Sequence, residues 1–107
     1  MNTLENKKWD FDPIDKLIFE NGLKIKSAYF DKELDLMLIV LGNKKVLKRT
    51  ISMSSRLNSA TLQQLQQYEI SRTGIHWPKI DEDLSLRGFL KEEMVNAINN
   101  QSITVAS

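Results

Sequence analysis

The stretch from Gly74 to Ser85, GIHWPKIDEDLS, gathers the residue types that do chemistry. It holds the chain's single histidine, His76, followed by Asp81, Glu82 and Asp83. A histidine oriented by Asp81 or Asp83 is the arrangement of a general acid or base. Such a base needs a nucleophile to activate. Serines 52, 54 and 55 stand upstream in SMSSR, but no spacing ties them to His76. Two carboxylates flanking a bond would suit acid/base hydrolysis, yet three consecutive acids fit a solvated or capping stretch better. As metal ligands, His76 and the acids lack both the paired-histidine spacing of zinc helices and the Asp-x-Asp rhythm of calcium loops. No catalytic residue, metal or cofactor is therefore expected, and the chain is not expected to be an enzyme.

The same residues have a structural reading. Pro78 biases Trp77 toward extended backbone. Trp77 is large enough to pin the segment to a core. The acids suit the positive end of a following helix, and Asp83 can accept from backbone N–H groups of the turn. This leaves the choice of histidine at 76 unexplained.

A second cluster is basic: Lys44, Lys45, Lys48, Arg49 and Arg56. It would suit phosphates and hence nucleic acid. On a strand, however, Lys44 and Lys48 point one way, Lys45 and Arg49 the other, which splits the patch. The whole chain has 15 basic and 14 acidic residues, a net charge of +1, and so lacks the bias of a nucleic-acid or membrane-surface protein.

The elements that must position these residues follow from length and pattern. The 107-residue chain is 41% apolar, which argues for one modestly sized folded domain. It has no cysteine, so disulfides and thiolate metal sites are excluded. Its longest apolar run, LMLIVL at 36–41, is far too short to cross a bilayer. With no secretory signal at the start, a soluble, cytoplasmic protein is expected.

Residues 1–21 read as a polar arm, with Trp9 as an anchor, and a short helix at 13–20. Asp12 is its N-cap, Pro13 its first residue, and Asn21-Gly22 its stop. Ile14, Leu17 and Ile18 form its apolar stripe. Strands are predicted at 23–30, 34–41 and 45–51, an antiparallel meander turning at Gly42-Asn43. On the first strand Leu23, Ile25 and Tyr29 share a face. A polar linker follows, then a helix at 61–67 opened by the capping box of Thr61 and Gln64. A candidate short strand lies at 68–72. The last helix is predicted over 86–98, N-capped by Ser85, with Leu86, Phe89, Leu90, Met94, Ala97 and Ile98 inward. Residues 99–107 are expected to fray. The architecture is α+β: residues 22–98 form one domain, a three- to four-stranded antiparallel sheet with helices packed on it.

The second strand is apolar on both faces and needs cover on both. The later helices cover one. The other, with Met37, Ile39 and Leu41, requires either the N-terminal helix or a second chain.

Two segments, Arg56-Leu57-x-x-Ala60-Thr61 and Gly74-Ile75-His76-Trp77-Pro78 through Asp81-Glu82-Asp83-Leu84-Ser85 to Leu90, resemble the bacterial domain of unknown function 2442 over about residues 22–91. The resemblance implies an α+β fold and no assigned biochemical role. It also implies a small protein partner encoded nearby, in an arrangement like a toxin–antitoxin pair. The expectation is thus a protein-binding module, antitoxin-like, contacting a toxin-like neighbour or a second copy of itself. Its contact residues would be His76, Trp77, Asp81 and Asp83, with Met37 and Ile39 as a second patch. A nucleic-acid-binding autoregulator using the basic 44–56 region is the alternative.

Overall fold

A computed structural model describes residues 12–106, with side chains through Asn99. The expected polar arm and its anchor Trp9 lie outside the described residues. The chain opens with α1 (Pro13–Asp15), which runs on into a π-helical turn, Lys16–Glu20. Asp12 caps it as expected, accepting the Ile14 N–H at 2.8 Å. The widened turn closes with the Asn21 N–H on the Lys16 carbonyl, five residues back. That extra residue per turn swings Leu17 out to 40% exposure while Ile14 and Ile18 stay buried. Gly22 then takes a φ of 71° and ends the turn.

The meander forms β1 (Ile25–Asp31), β2 (Leu36–Leu41) and β3 (Val46–Arg49), all antiparallel in that order. The register of β1 slips between Ile25 and Ser27, a β-bulge. One extra residue inverts the alternation downstream. Ala28 and Phe30 therefore point inward, and Tyr29, expected to share a face with Ile25, points out. At the β2–β3 turn the positive φ falls on Lys44 (74°) and not on the expected Gly42-Asn43.

The expected polar linker is ordered. A 3₁₀ turn, Ile51–Met53, leads into α2 (Ser55–Ser59). The hydroxyl of buried Ser54 caps α2 by accepting the Leu57 N–H at 3.2 Å. Next comes α3 (Leu62–Leu65), with both bonds of the Thr61–Gln64 capping box formed.

A second antiparallel sheet then forms from β4 (Glu69–Ser71), β5 (Gly74–Trp77) and β6 (Glu82–Ser85). Two three-stranded sheets thus carry the α+β fold, where a single sheet of three or four strands was predicted. The acids expected to open the last helix lie instead in the β5–β6 turn and on β6. Only Ser85 keeps its predicted role: its Oγ accepts the Gly88 N–H at 2.9 Å at the start of α4 (Leu86–Ala106). That helix runs past its predicted end at 98. Leu86, Phe89 and Leu90 are buried, but Met94 and Ile98 have left the core.

One continuous core joins Ile14 of α1, Ile18 of the π-helical turn, the inner faces of both sheets, and Leu57, Leu65, Leu86, Phe89 and Leu90 of the helices. Met37, Ile39 and Leu41 sit at its centre, so this face of β2 needs no second chain. The sheet face left outward is the opposite one.

Candidate functional site

The β4–β5 hairpin turns on Arg72 and Thr73, which sets Glu69 opposite His76. The β5–β6 hairpin sets Asp83 opposite His76 on the other side. An acid–histidine–acid row therefore crosses the outer face of the second sheet. His76 Nε2 lies 3.0 Å from Glu69 Oε1. A carboxylate can only accept, so Nε2 carries the proton in this contact. Nδ1 lies 3.6 Å from Asp83 Oδ1, an electrostatic contact longer than a hydrogen bond. The row is open to solvent, with side-chain exposures of 68%, 38% and 81% for Glu69, His76 and Asp83.

Because the two acids face opposite nitrogens, a cation on either nitrogen would meet only one of them. Among the described residues no group of three or more His, Cys, Asp or Glu is placed to hold a metal ion. Nor does any hydroxyl among them hydrogen-bond to His76. Of the upstream serines, Ser52 and Ser54 are engaged elsewhere. Ser52 donates its hydroxyl to Asp35 at 2.5 Å, and Ser54 donates to Glu82. The row can hold a proton or a hydrogen-bonding partner.

The other residues of the motif divide by burial. Trp77 is 1% exposed and its Nε1–H donates to the Leu65 carbonyl at 2.8 Å. Its expected contact role is replaced by a structural one, since alternation along β5 turns Trp77 inward as it turns His76 outward. Asp83, expected to bond turn N–H groups, faces His76. Asp81 has a φ of 56° in the turn and lies 3.3 Å from Arg56 Nη1. His76, Asp81 and Asp83 line a shallow depression of ≈ 260 Å³ above Trp77. Met37 and Ile39 have no exposed surface and cannot serve as the expected second patch in the folded chain.

The basic residues do not converge. Arg49 belongs to an inward row with Phe30 and Met37. It contacts Glu92 at 2.6 Å and lies 4.7 Å from the centre of the Phe89 ring. Burial lowers its pKa and Glu92 opposes that shift. Arg56 is held by Asp81, to whose carbonyl it also donates. Lys44 and Lys45 lie at the β2–β3 turn, and Lys48 on the outer sheet face.

Sequence reasoning missed Glu69. The signal was the short turn itself: pairing Ser71 with Gly74 brings 69 opposite 76. It also missed the outer face of the first sheet. There Tyr29, Leu38 and Lys48 form one cross-strand row, Val40 and Val46 another, and Leu36 opposes Asp31.

This architecture is that of a small α+β domain built on two antiparallel hairpin sheets, with an exposed histidine row on the second. The chain belongs to the DUF2442 family, proteins of unknown function, whose model matches residues 25–94. Two solved structures are similar. An uncharacterized protein from Chromobacterium violaceum is 28% identical, with a TM-score of 0.60 over 73% of this chain and 72% of that one. A protein of unknown function from Rhodospirillum rubrum is 26% identical, with a TM-score of 0.56 over 65% and 87%. No curated protein matches the chain significantly. Among the described residues no helix is long and apolar enough to cross a membrane.

Proposed function

We propose that this domain is a protein-binding module whose contact surface is the outer face of β1–β2–β3. One observation carries the reading. An antiparallel sheet with one solvated face normally places polar residues outward. Here the outward positions include Tyr29 (59% exposed), Val46 (47%) and the half-buried Leu36, Leu38 and Val40. A contiguous apolar face of this kind marks an interaction site.

Lys48 lies within the face and Lys44 and Lys45 at its end. Pairing with a second copy would bring like charges together, whereas a different protein with an acidic rim would complement them. The antitoxin-like form of this reading makes that partner the small protein encoded next to it. With Arg49 and Arg56 committed to Glu92 and Asp81, the nucleic-acid alternative has only the three lysines.

Co-expression with the neighbouring gene product, followed by size-exclusion chromatography with light scattering, tests the reading. Co-elution is expected, and Tyr29→Glu with Val46→Glu should abolish it while far-UV circular dichroism is unchanged. A monomer that co-elutes with no neighbour would overturn it.

A further inference from the structure

A cleft lies elsewhere, where the edges of the two sheets meet. Its volume is ≈ 850 Å³ and it runs between the start of β1 and the edge strand β4. Further along β1 the two edges are tied by one side chain. The Tyr68 hydroxyl accepts the Ala28 N–H at 3.1 Å and lies 3.3 Å from the Ala28 carbonyl, to which it can donate. Tyr68 thus takes the place of a neighbouring strand at Ala28. Toward Lys24 that place is the cleft.

Three features define what the cleft would take. Its apolar wall comes from Ile18, Leu23 and Ile70. Its charged groups are Lys24, Lys26 and Arg72, with no carboxylate in the lining. None of these cations forms an ion pair with a described residue. Arg72 is held over the Phe19 ring, 5.4 Å from its centre, and Lys26 is the bulge residue with no opposite number on β2. Third, β4 has its outer edge on the cleft. In a two-residue hairpin the Ser71–Gly74 pair exchanges the ladder bonds, which turns the Ile70 N–H and C=O away from β5. A free strand edge beside apolar and cationic side chains is the arrangement for strand addition.

We propose that this cleft binds an extended acidic segment of another protein, adding it as a strand beside β4. Its apolar side chains would face Ile18, Leu23 and Ile70, and its carboxylates Lys24, Lys26 and Arg72, as the two-residue period of a strand requires. The cleft is a different surface from the outer face of the first sheet, and the two proposals stand or fall separately.

The probe is a short fluorescein-labelled peptide alternating valine and glutamate, read by anisotropy on the full chain. Saturable binding that weakens with salt is expected, with none for the same peptide carrying lysine in place of glutamate. Arg72→Glu and Lys24→Glu should each weaken binding at least about tenfold, while Val46→Glu leaves it unchanged. All three sites are exposed, and circular dichroism verifies that each variant folds. Absence of binding by the glutamate peptide, or undiminished affinity in both charge reversals, would overturn the proposal. So would displacement of the peptide by ATP or a single-stranded oligonucleotide, which would make it a phosphate site. A change of mass in light scattering on Arg72→Glu would make the occupant a second copy of the chain and equally overturn it.

Discussion

Trp77 donates its indole N–H to the main-chain carbonyl of Leu65, 2.8 Å away. This bond ties the centre of the second sheet to the end of α3. Both residues are buried, and the Trp77 ring also packs edge-on against Phe30 of the first sheet, 6.2 Å between centres. Trp77 therefore joins the two sheets and a helix. Trp77→Phe keeps an aromatic ring but leaves a gap and an unpaired buried carbonyl. A loss of about 2–4 kcal/mol is expected from these two effects, read as a lower urea midpoint at unchanged slope.

Gly74 faces the backbone of β6 at close range. A Cβ there would stand 2.4 Å from the Leu84 carbonyl oxygen and 3.1 Å from the Ser85 Cα. Main chain in a ladder cannot step aside as a flexible side chain can. Gly74→Ala should cost about 2–3 kcal/mol and loosen the row around His76. Urea melts would measure the cost, and amide exchange on β5 and β6 would locate it.

Lys44 holds a left-handed backbone, φ 74°, at an exposed turn. A lysine in that region is strained where glycine is not. Lys44→Gly should therefore stabilise the domain by about 0.5–1 kcal/mol, the strain relieved less the added freedom of the unfolded chain. A higher thermal midpoint is the expected reading. An unchanged or lower midpoint would contradict it.

Two aspartates make folding stability depend on pH in the acid range. Arg87, then the Ile14 N–H, holds the Asp12 carboxyl below its ordinary 3.8. The Ser52 hydroxyl, then the Ser52 N–H, does the same for Asp35. A carboxyl lowered in the folded state stabilises it above the ordinary value, and that contribution disappears as pH falls through the folded-state pKa. Stability should drop as pH falls below about 4. Asp12→Asn and Asp35→Asn should each lower stability at neutral pH and flatten this acid limb. Urea midpoints measured across pH test both.

Where the chain's own neighbours settle a conformation, the sequence was legible. The caps at Asp12, Thr61 and Ser85 each close on an N–H two or three residues ahead, so spacing alone reveals them. The hairpin meander was legible for the same reason, whereas the signature at 74–85 marked the family without revealing β5 and β6. Legibility ended at the bulge after Ile25, where one extra residue exchanged the faces of β1 and moved Tyr29 outward. It ended again at Ser54, whose burial beside Glu82 made a helix start of an apparent linker.

By itself the sequence determined the α+β class, the order of the first three strands and the caps at Asp12, Thr61 and Ser85. These depend on contacts within a few residues. Only the tertiary structure decided which face of β2 is buried. Met37 and Ile39 went inside with Arg49 beside them, and Leu38, Val40 and Tyr29 were left at the surface. It alone set Glu69 and Asp83 on either side of His76, and Lys24, Lys26 and Arg72 around one cleft. Those groupings join residues from different strands, and their partners are chosen by how two sheets close over a shared core.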